Sequence, residues 1–232
     1  MIIAGLQNLS LVDFPGHLAA AVFLQGCNFK CGYCQNPDLI KADRTFISPE
    51  EEQRIFEYLE LRRGVIEGVV ITGGEPTIHD DLCDLLLHIK EMDLKVKLDT
   101  NGSRPAILEK CLKEYLVDYL AVDIKTSPER YHEVSAAGGV ENLVRESVMI
   151  TILSCIPYEF RVTCVPGLVE ERDIRKIAEL VKGAKKVCLQ QFRPVITYDR
   201  DYQDIPPHPP RRIEEFAGIM RDYVEDVQIR GL

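Results

Sequence analysis

Six times along the chain a short apolar run is followed by an amphipathic helical pattern, and this alternation limits the fold more than any other feature. Residues 18–24, 68–72, 95–98, 119–122, 160–165 and 186–191 read as buried strands. The intervening helices are expected over about 49–63, 82–89, 105–114, 140–153, 170–182 and 211–224. The first of them carries its own start signal: Ser48 as cap, Pro49 at the first helical position and Glu51 three after the cap. Residues 227–229 add a short final strand, whereas 126–139 read as a polar connection and 193–210, with five of the thirteen prolines, as an irregular loop.

Strand-helix alternation with right-handed crossovers builds a parallel sheet with helices outside. Six units are too few to close an eightfold barrel, so the expected fold is α/β, a partial, open (β/α)6 TIM-like barrel of parallel strands. With 232 residues, 46% of them hydrophobic, residues 1–232 are expected to form a single domain. Such folds place their chemistry at the carboxyl ends of the strands.

A net charge of −9 without any run of Lys or Arg gives a nucleic-acid groove little support. No apolar stretch reaches the ~20 residues of a membrane span, and Met1-Ile2-Ile3 is not the basic start of a signal peptide, so the expected location is cytoplasmic, with no membrane or nucleic-acid partner. In that compartment the eight cysteines read as reduced thiols. Cys83, Cys111, Cys155, Cys164 and Cys188 lie in apolar segments and read as core. His17, His79, His88, His132 and His208 form no pair at metal-ligand spacing and read as surface or helix-end residues.

The other three cysteines, Cys27, Cys31 and Cys34, leave the end of the first strand at spacings of three and two intervening residues. Three thiolates are one short of a closed zinc site and one short of the corners of an iron-sulfur cube. A cube held by three would keep one iron open to a substrate or cofactor; buried thiols and zinc ligation remain the alternatives. Further unusual residues end the other strands. Gly73-Gly74-Glu75-Pro76 reads as a turn, or as close-approaching backbone carbonyls and a negative charge suited to an ammonium group. Asp99 and Asp123 read as helix caps, as partners of Lys97 and Lys125, or as two carboxylates around a cation. Asn101-Gly102 after Thr100 is a turn, and Arg161, flanked by apolar residues, needs a carboxylate or a ribose beside it. Gln191 and Arg193 reach a cofactor or hold the proline-rich loop. No Gly-x-Ser-x-Gly and no phosphate-cradling Gly-x-x-x-x-Gly-Lys is present, which leaves hydrolase and nucleotidase readings without a nucleophile or a site.

Taken in order, Gln25-Gly26-Cys27 through Cys34-Gln35-Asn36-Pro37, Ile71 to Pro76, Lys97 to Gly102, Asp123-Ile124-Lys125, Arg161 to Gly167 and Leu189 to Pro194 resemble the radical S-adenosylmethionine (SAM) enzymes. Within these they resemble the activating proteins of anaerobic ribonucleoside-triphosphate reductase in their longer form, and more distantly the pyruvate formate-lyase activating enzymes. The resemblance implies a [4Fe-4S] cluster on Cys27, Cys31 and Cys34 whose open iron is chelated by SAM. It puts Tyr33 and Gln35 against the adenosyl part, Gly73, Gly74 and Glu75 near the amino group, and Arg161 near the carboxylate or ribose. Asp99, Thr100, Asn101, Asp123 and Lys125 would line the same pocket, the two Asp with an optional monovalent cation, and Gln191 and Arg193 would close it. Gln35 departs from the His that many relatives carry after the third cysteine.

The implied reaction takes one electron from a flavodoxin or ferredoxin, splits SAM to methionine and a 5′-deoxyadenosyl radical, and removes hydrogen from a glycine of anaerobic ribonucleotide reductase. No catalytic side chain is needed, since cluster and SAM carry the chemistry. The alternatives are activation of another glycyl-radical enzyme of the formate-lyase type, modification of a small molecule or RNA, and a non-catalytic metal-binding module.

Overall fold

In the computed structural model, which describes residues 2–41, 47–135 and 137–232, eight strands and six helices follow one another. Met1, where the reading of the N terminus begins, and Ala136 in the polar connection lie outside the described residues. The strands are β1 (Ile3–Ser10), β2 (Ala19–Leu24), β3 (Gly68–Gly73), β4 (Lys95–Thr100), β5 (Tyr119–Asp123), β6 (Tyr158–Cys164), β7 (Lys186–Gln191) and β8 (Asp226–Arg230). The helices are α1 (Pro49–Leu61), α2 (Leu82–Glu91), α3 (Pro105–Lys113), α4 (Val140–Leu153), α5 (Glu171–Leu180) and α6 (Pro210–Met220). Strand order in the sheet is chain order, from β1 to β8, so the sheet is open as expected. The β2–β3, β3–β4, β6–β7 and β7–β8 pairs are parallel.

Each expected strand and helix is present, the first helix with its full capping box: Glu51 N–H donates to Ser48 Oγ at 3.2 Å and Ser48 N–H to Glu51 Oε2 at 2.7 Å. Three readings need correction. The reading of the sequence lacked β1, which pairs antiparallel with β2 and slips register between Ile3 and Gly5 and again between Gln7 and Ser10. A bulged strand with only its two end residues buried has no clean period of two. Cys155 is exposed, because it falls in the turn between α4 and β6 and not within an element, and His208 is buried, its Nε2–H donating to Val169 O at 3.0 Å. The long polar stretches also hold short 3₁₀ turns, Pro128–Glu133 and Arg200–Asp204.

The chain forms two compact units. The first consists of the described residues of Met1–Asn28, Asp38–Thr100 and Ala106–Leu120. Its parallel strands bury Val69, Val70, Ile71, Val96 and Leu98, and Phe14 packs with Ala19, Ala21, Val70 and Tyr119 beneath the strand starts. The apolar side of α2, with Leu82, Leu85, Leu86 and Ile89, is also buried there, and the thiols of Cys83 and Cys111 meet at 3.2 Å. The second unit consists of Phe29–Pro37, Asn101–Pro105 and the described residues of Ala121–Leu232. There β6 and β7 bury Phe160, Val162, Val187 and Leu189, while α5 and α6 bury Ile174, Ile177, Phe216 and Ala217. Among the described residues no helix is long and apolar enough to cross a membrane.

Candidate active site

In the first unit the turn that ends β3 is sewn to the segment leading into the first cysteine. Gly74 N–H donates to Leu24 O at 2.8 Å and Glu75 N–H to Gly26 O at 2.7 Å. Gly26 and Cys27 in turn donate to Leu39 O and Ile40 O at 2.8 and 3.1 Å. The stretch before the thiol is thereby fixed by backbone on two sides, and His79 Nε2–H adds a third hold on Gln25 O at 2.8 Å.

The carboxylate of Glu75 is buried and accepts from Thr77 N–H at 3.0 Å, from the Thr77 hydroxyl, and from Thr100 Oγ1–H at 2.6 Å. Thr77, which the sequence reading passed over, thus joins Thr100 in satisfying a polar group that would be costly to bury alone. At the end of β4 the ammonium of Lys97 donates to Asp99, both side chains being buried, and lies 6.0 Å from the centre of the Tyr119 ring. Lys97 and Asp99 are two apart in a strand and so share one face.

In the second unit the loop runs on through Cys31 and Cys34, with Cys34 N–H turned back onto Cys31 O at 3.0 Å. Lys30 N–H is held by Val134 O at 2.9 Å, and the Phe29 ring meets Tyr131 edge-on. Asp123 ends β5 and accepts from Lys125 Nζ at 2.9 Å and from Arg161 Nε at 2.7 Å, which answers the need of Arg161 for a carboxylate. Asn101 Oδ1 accepts from Ser103 N–H at 2.9 Å, which makes the Asn101-Gly102 turn that its sequence suggested, with Gly102 at φ +72°. Gln35 Nε2–H donates to Arg193 O at 3.0 Å, and Gln191 Nε2–H to His208 O at 2.7 Å.

Burial alone would raise the pKa of Asp123, but Arg161 and Lys125 outweigh it and hold the carboxyl well below the usual range. Burial works against the charge of Lys125, yet Asp123 first, then Tyr33 and Cys31, keep its pKa well above the ordinary value. The thiol of Cys31 is pushed up by burial against the pull of Lys125, and the Tyr33 phenol is raised well above its usual value by the same cause. Any metal bound by Cys31 must therefore displace a firmly held proton.

A depressed carboxylate contributes stability that is fully present above its unfolded pKa of about 3.9 and is lost as the pH falls through its lower folded value. Asp123→Asn should accordingly lower stability at pH 7 by about 1–3 kcal/mol, between the values for exposed and buried ion pairs. In urea titrations across pH the gap between the two proteins should persist to pH 4 and narrow only below it; a gap that closes between pH 7 and 5 would contradict the assignment.

None of the eight cysteines is joined in a disulfide. Among the described residues no three His, Cys, Asp or Glu side chains are arranged to hold a single metal ion. Gln25 Oε1 and Gln191 Oε1 are buried without a hydrogen-bond partner among the described residues, although each amide nitrogen is placed, on Lys41 O at 2.8 Å and on His208 O at 2.7 Å.

Residues 21–181 match the sequence profile of the Radical SAM superfamily. The chain is 31% identical, over 100% of its length and 96% of the relative's, to the putative glycyl-radical enzyme activating enzyme of Methanocaldococcus jannaschii. It is also 31% identical, over 82% of its length and 76% of the relative's, to the pyruvate formate-lyase-activating enzyme of Streptococcus mutans. Among solved structures, TYW1 with a lysine-pyruvate adduct bound superposes with a TM-score of 0.62 at 15% identity, covering 88% of this chain and 73% of that one, which speaks for the fold alone.

Proposed function

The chain belongs to the radical SAM superfamily, in its family of glycyl-radical enzyme activating enzymes, and from that premise we propose that it installs the glycyl radical on an anaerobic ribonucleoside-triphosphate reductase. The observation that carries the activase reading is the likeness to the Methanocaldococcus jannaschii protein, which extends along the whole chain. The order and spacing of the strand-end motifs support an activase of glycyl-radical enzymes, and the reductase as target rests on their resemblance to the activating proteins of anaerobic ribonucleoside-triphosphate reductase. A flavodoxin or ferredoxin is the electron donor in this proposal, the cytoplasm its location, and residues 1–232 act as one catalytic domain.

Membership of the superfamily implies a [4Fe-4S] cluster and SAM, and two features of the chain fit them. The loop offers three cysteines outside any disulfide and no fourth, which matches a cube that leaves one corner to its ligand. Gln191, one of the residues assigned to the cofactor, has a buried amide oxygen with no partner among the described residues, as an acceptor awaiting a donor would.

In this reading Cys27, Cys31 and Cys34 would hold the cluster, which together with SAM would supply one-electron reductive cleavage of the sulfonium. The protein supplies position and electrostatics. Tyr33, Gln35, Gly73, Gly74, Glu75, Thr100, Asn101, Arg161, Gln191 and Arg193 bind and orient the SAM molecule. Glu75, hydrogen-bonded by two threonine hydroxyls, would face its ammonium group, and Arg161 its carboxylate or ribose. Asp99, Asp123 and Lys125 complete the lining. A monovalent cation enters this proposal only as a competitor of Lys97 and Lys125 for the same two carboxylates.

The test is to rebuild the protein anaerobically with iron and sulfide, reduce it, and mix it with SAM and the reductase of its own host. The expected result is 5′-deoxyadenosine and methionine in equal amounts and a glycyl EPR signal on the reductase. Activation of a pyruvate formate-lyase in place of the reductase is the second reading, which the Streptococcus mutans relative favours. A signal on the lyase and none on the reductase would decide for it.

A further inference from the structure

The segment after β7 lies against the cysteine loop at three separate points, all within the second unit. Asp199 N–H donates to Gly32 O at 2.8 Å, and Gln35 Nε2–H reaches Arg193 O at 3.0 Å. Between these two hydrogen bonds the ring of Tyr202 lies on Gly32 so closely that a Cβ built there would stand 2.3 Å from Cε2 and 2.9 Å from Cδ2. The Tyr33 and Tyr202 rings are 6.2 Å apart and tilted by 52°. The residues between Cys31 and Gln35 are thus gripped by backbone, by an amide and by an aromatic ring.

Tyr202 owes its place to local chemistry. Asp199 caps the short turn Arg200–Asp204, its Oδ1 accepting from Asp201 N–H at 3.1 Å, while the buried Thr197 donates its hydroxyl to Asp199 O at 2.7 Å. The rest of the strap is open, Val195 and Ile196 being 75% and 55% exposed. A glycine between two ligand cysteines leaves the loop backbone flexible, and a flexible loop loses conformational entropy when its thiols are captured.

We infer that Tyr202 is a positioning residue for the Cys31–Cys34 turn: its ring, seated on Gly32, holds the turn in its ligating conformation before any cluster arrives and shields it afterwards. This rests on the reading of Cys31 and Cys34 as cluster ligands. The contact is made by ring carbons, Cε2, Cδ2 and Cζ, so Tyr202→Phe retains it and Tyr202→Ala removes it. Removal of a partly exposed ring from a surface strap leaves the core intact, so the metal-free Tyr202→Ala protein should melt within a few degrees of the natural one.

The experiment has two arms. In metal-free protein, amide hydrogen exchange of residues 31–35 should quicken by roughly tenfold in Tyr202→Ala and stay unchanged in Tyr202→Phe. In anaerobically rebuilt protein, the iron-sulfur absorption of Tyr202→Ala should bleach in air about three- to tenfold faster than that of the natural protein, with Tyr202→Phe again unchanged, as expected when support around a ligand is lost. Natural exchange and bleaching rates in Tyr202→Ala overturn the inference, as does a melting temperature that falls while both rates stay put. Were the natural protein to take up no iron while exchange still quickened in Tyr202→Ala, the ligand reading would be the one to fail, and with it the inference that the turn is held for ligation.

Discussion

Cys34→Ser is expected to leave a folded protein that binds almost no iron and cleaves no SAM above background. Cys34 is half-buried and bridges to nothing in the fold, its sulfur being a free thiol. Its structural contribution is made by the backbone, through Cys34 N–H on Cys31 O, which serine preserves. The cost to the metal-free fold should therefore stay within about 1 kcal/mol. If Cys34 is a ligand as proposed, the cost to the cofactor is of another order, because changes in the outer shell of a metal site alone weaken binding by about 10–100-fold, whereas this change would replace the donor itself with a hard oxygen that suits iron-sulfur chemistry poorly. Iron and sulfide per chain, the visible absorption and production of 5′-deoxyadenosine should fall together. Cys155→Ser, which alters an exposed thiol far along the sequence from the loop, serves as the control and should change none of them. A Cys34→Ser protein that loads as much iron as the natural one would remove Cys34 from the ligand set.

The parts of the fold that were legible are those whose side chains repeat with a period. Strands β2 to β7 are apolar runs with a turn at each end, and α1 announced itself through Ser48, Pro49 and Glu51. β1 was not legible because its bulges break the alternation and because an edge strand buries little. The site divides in the same way. The spacing of Cys27, Cys31 and Cys34, the Gly-Gly-Glu-Pro turn and the polar residues ending strands stand out against apolar surroundings. What satisfies those polar residues does not. Thr77 and Thr100 reach Glu75 from a turn and from a neighbouring strand, and Asp123 accepts from both Lys125 and Arg161, the second of which lies on another strand. Only the fold sets such partners side by side. Tyr202 was missed for the same reason, since a proline-rich stretch carries no period that says what it faces. The one hint was Gly32, a residue without a side chain set between two cysteines, where a ring needs the room.

Gly74→Ala should be strongly damaging for a single-methyl change in the first unit. A Cβ at position 74 would stand 1.9 Å from Gly26 O, 2.6 Å from Gly26 C and 3.0 Å from Leu39 O, and all three are backbone atoms. A flexible side chain could swing aside, but these cannot. Gly26 O already accepts from Glu75 N–H at 2.7 Å, while Gly26 N–H donates to Leu39 O at 2.8 Å, so moving the Gly26 peptide strains two hydrogen bonds at once. Forced overpacking of this kind costs about 1–3 kcal/mol, and the upper end applies where only backbone can yield. For a chain of this length that corresponds to a melting temperature lower by roughly 5–10 °C. The displaced peptide is the one that leads into Cys27, so iron uptake should drop along with stability, even in the fraction that stays folded. Gly218→Ala provides the contrast: nothing stands within 4 Å of the added methyl, and the residue lies inside α6. Helix propensity there favours alanine over glycine by about 1 kcal/mol, so that variant should melt slightly higher than the natural protein and load iron normally. Equal melting curves and equal iron content for Gly74→Ala and the natural protein would mean that the turn after β3 does not hold the entrance to the cysteine loop.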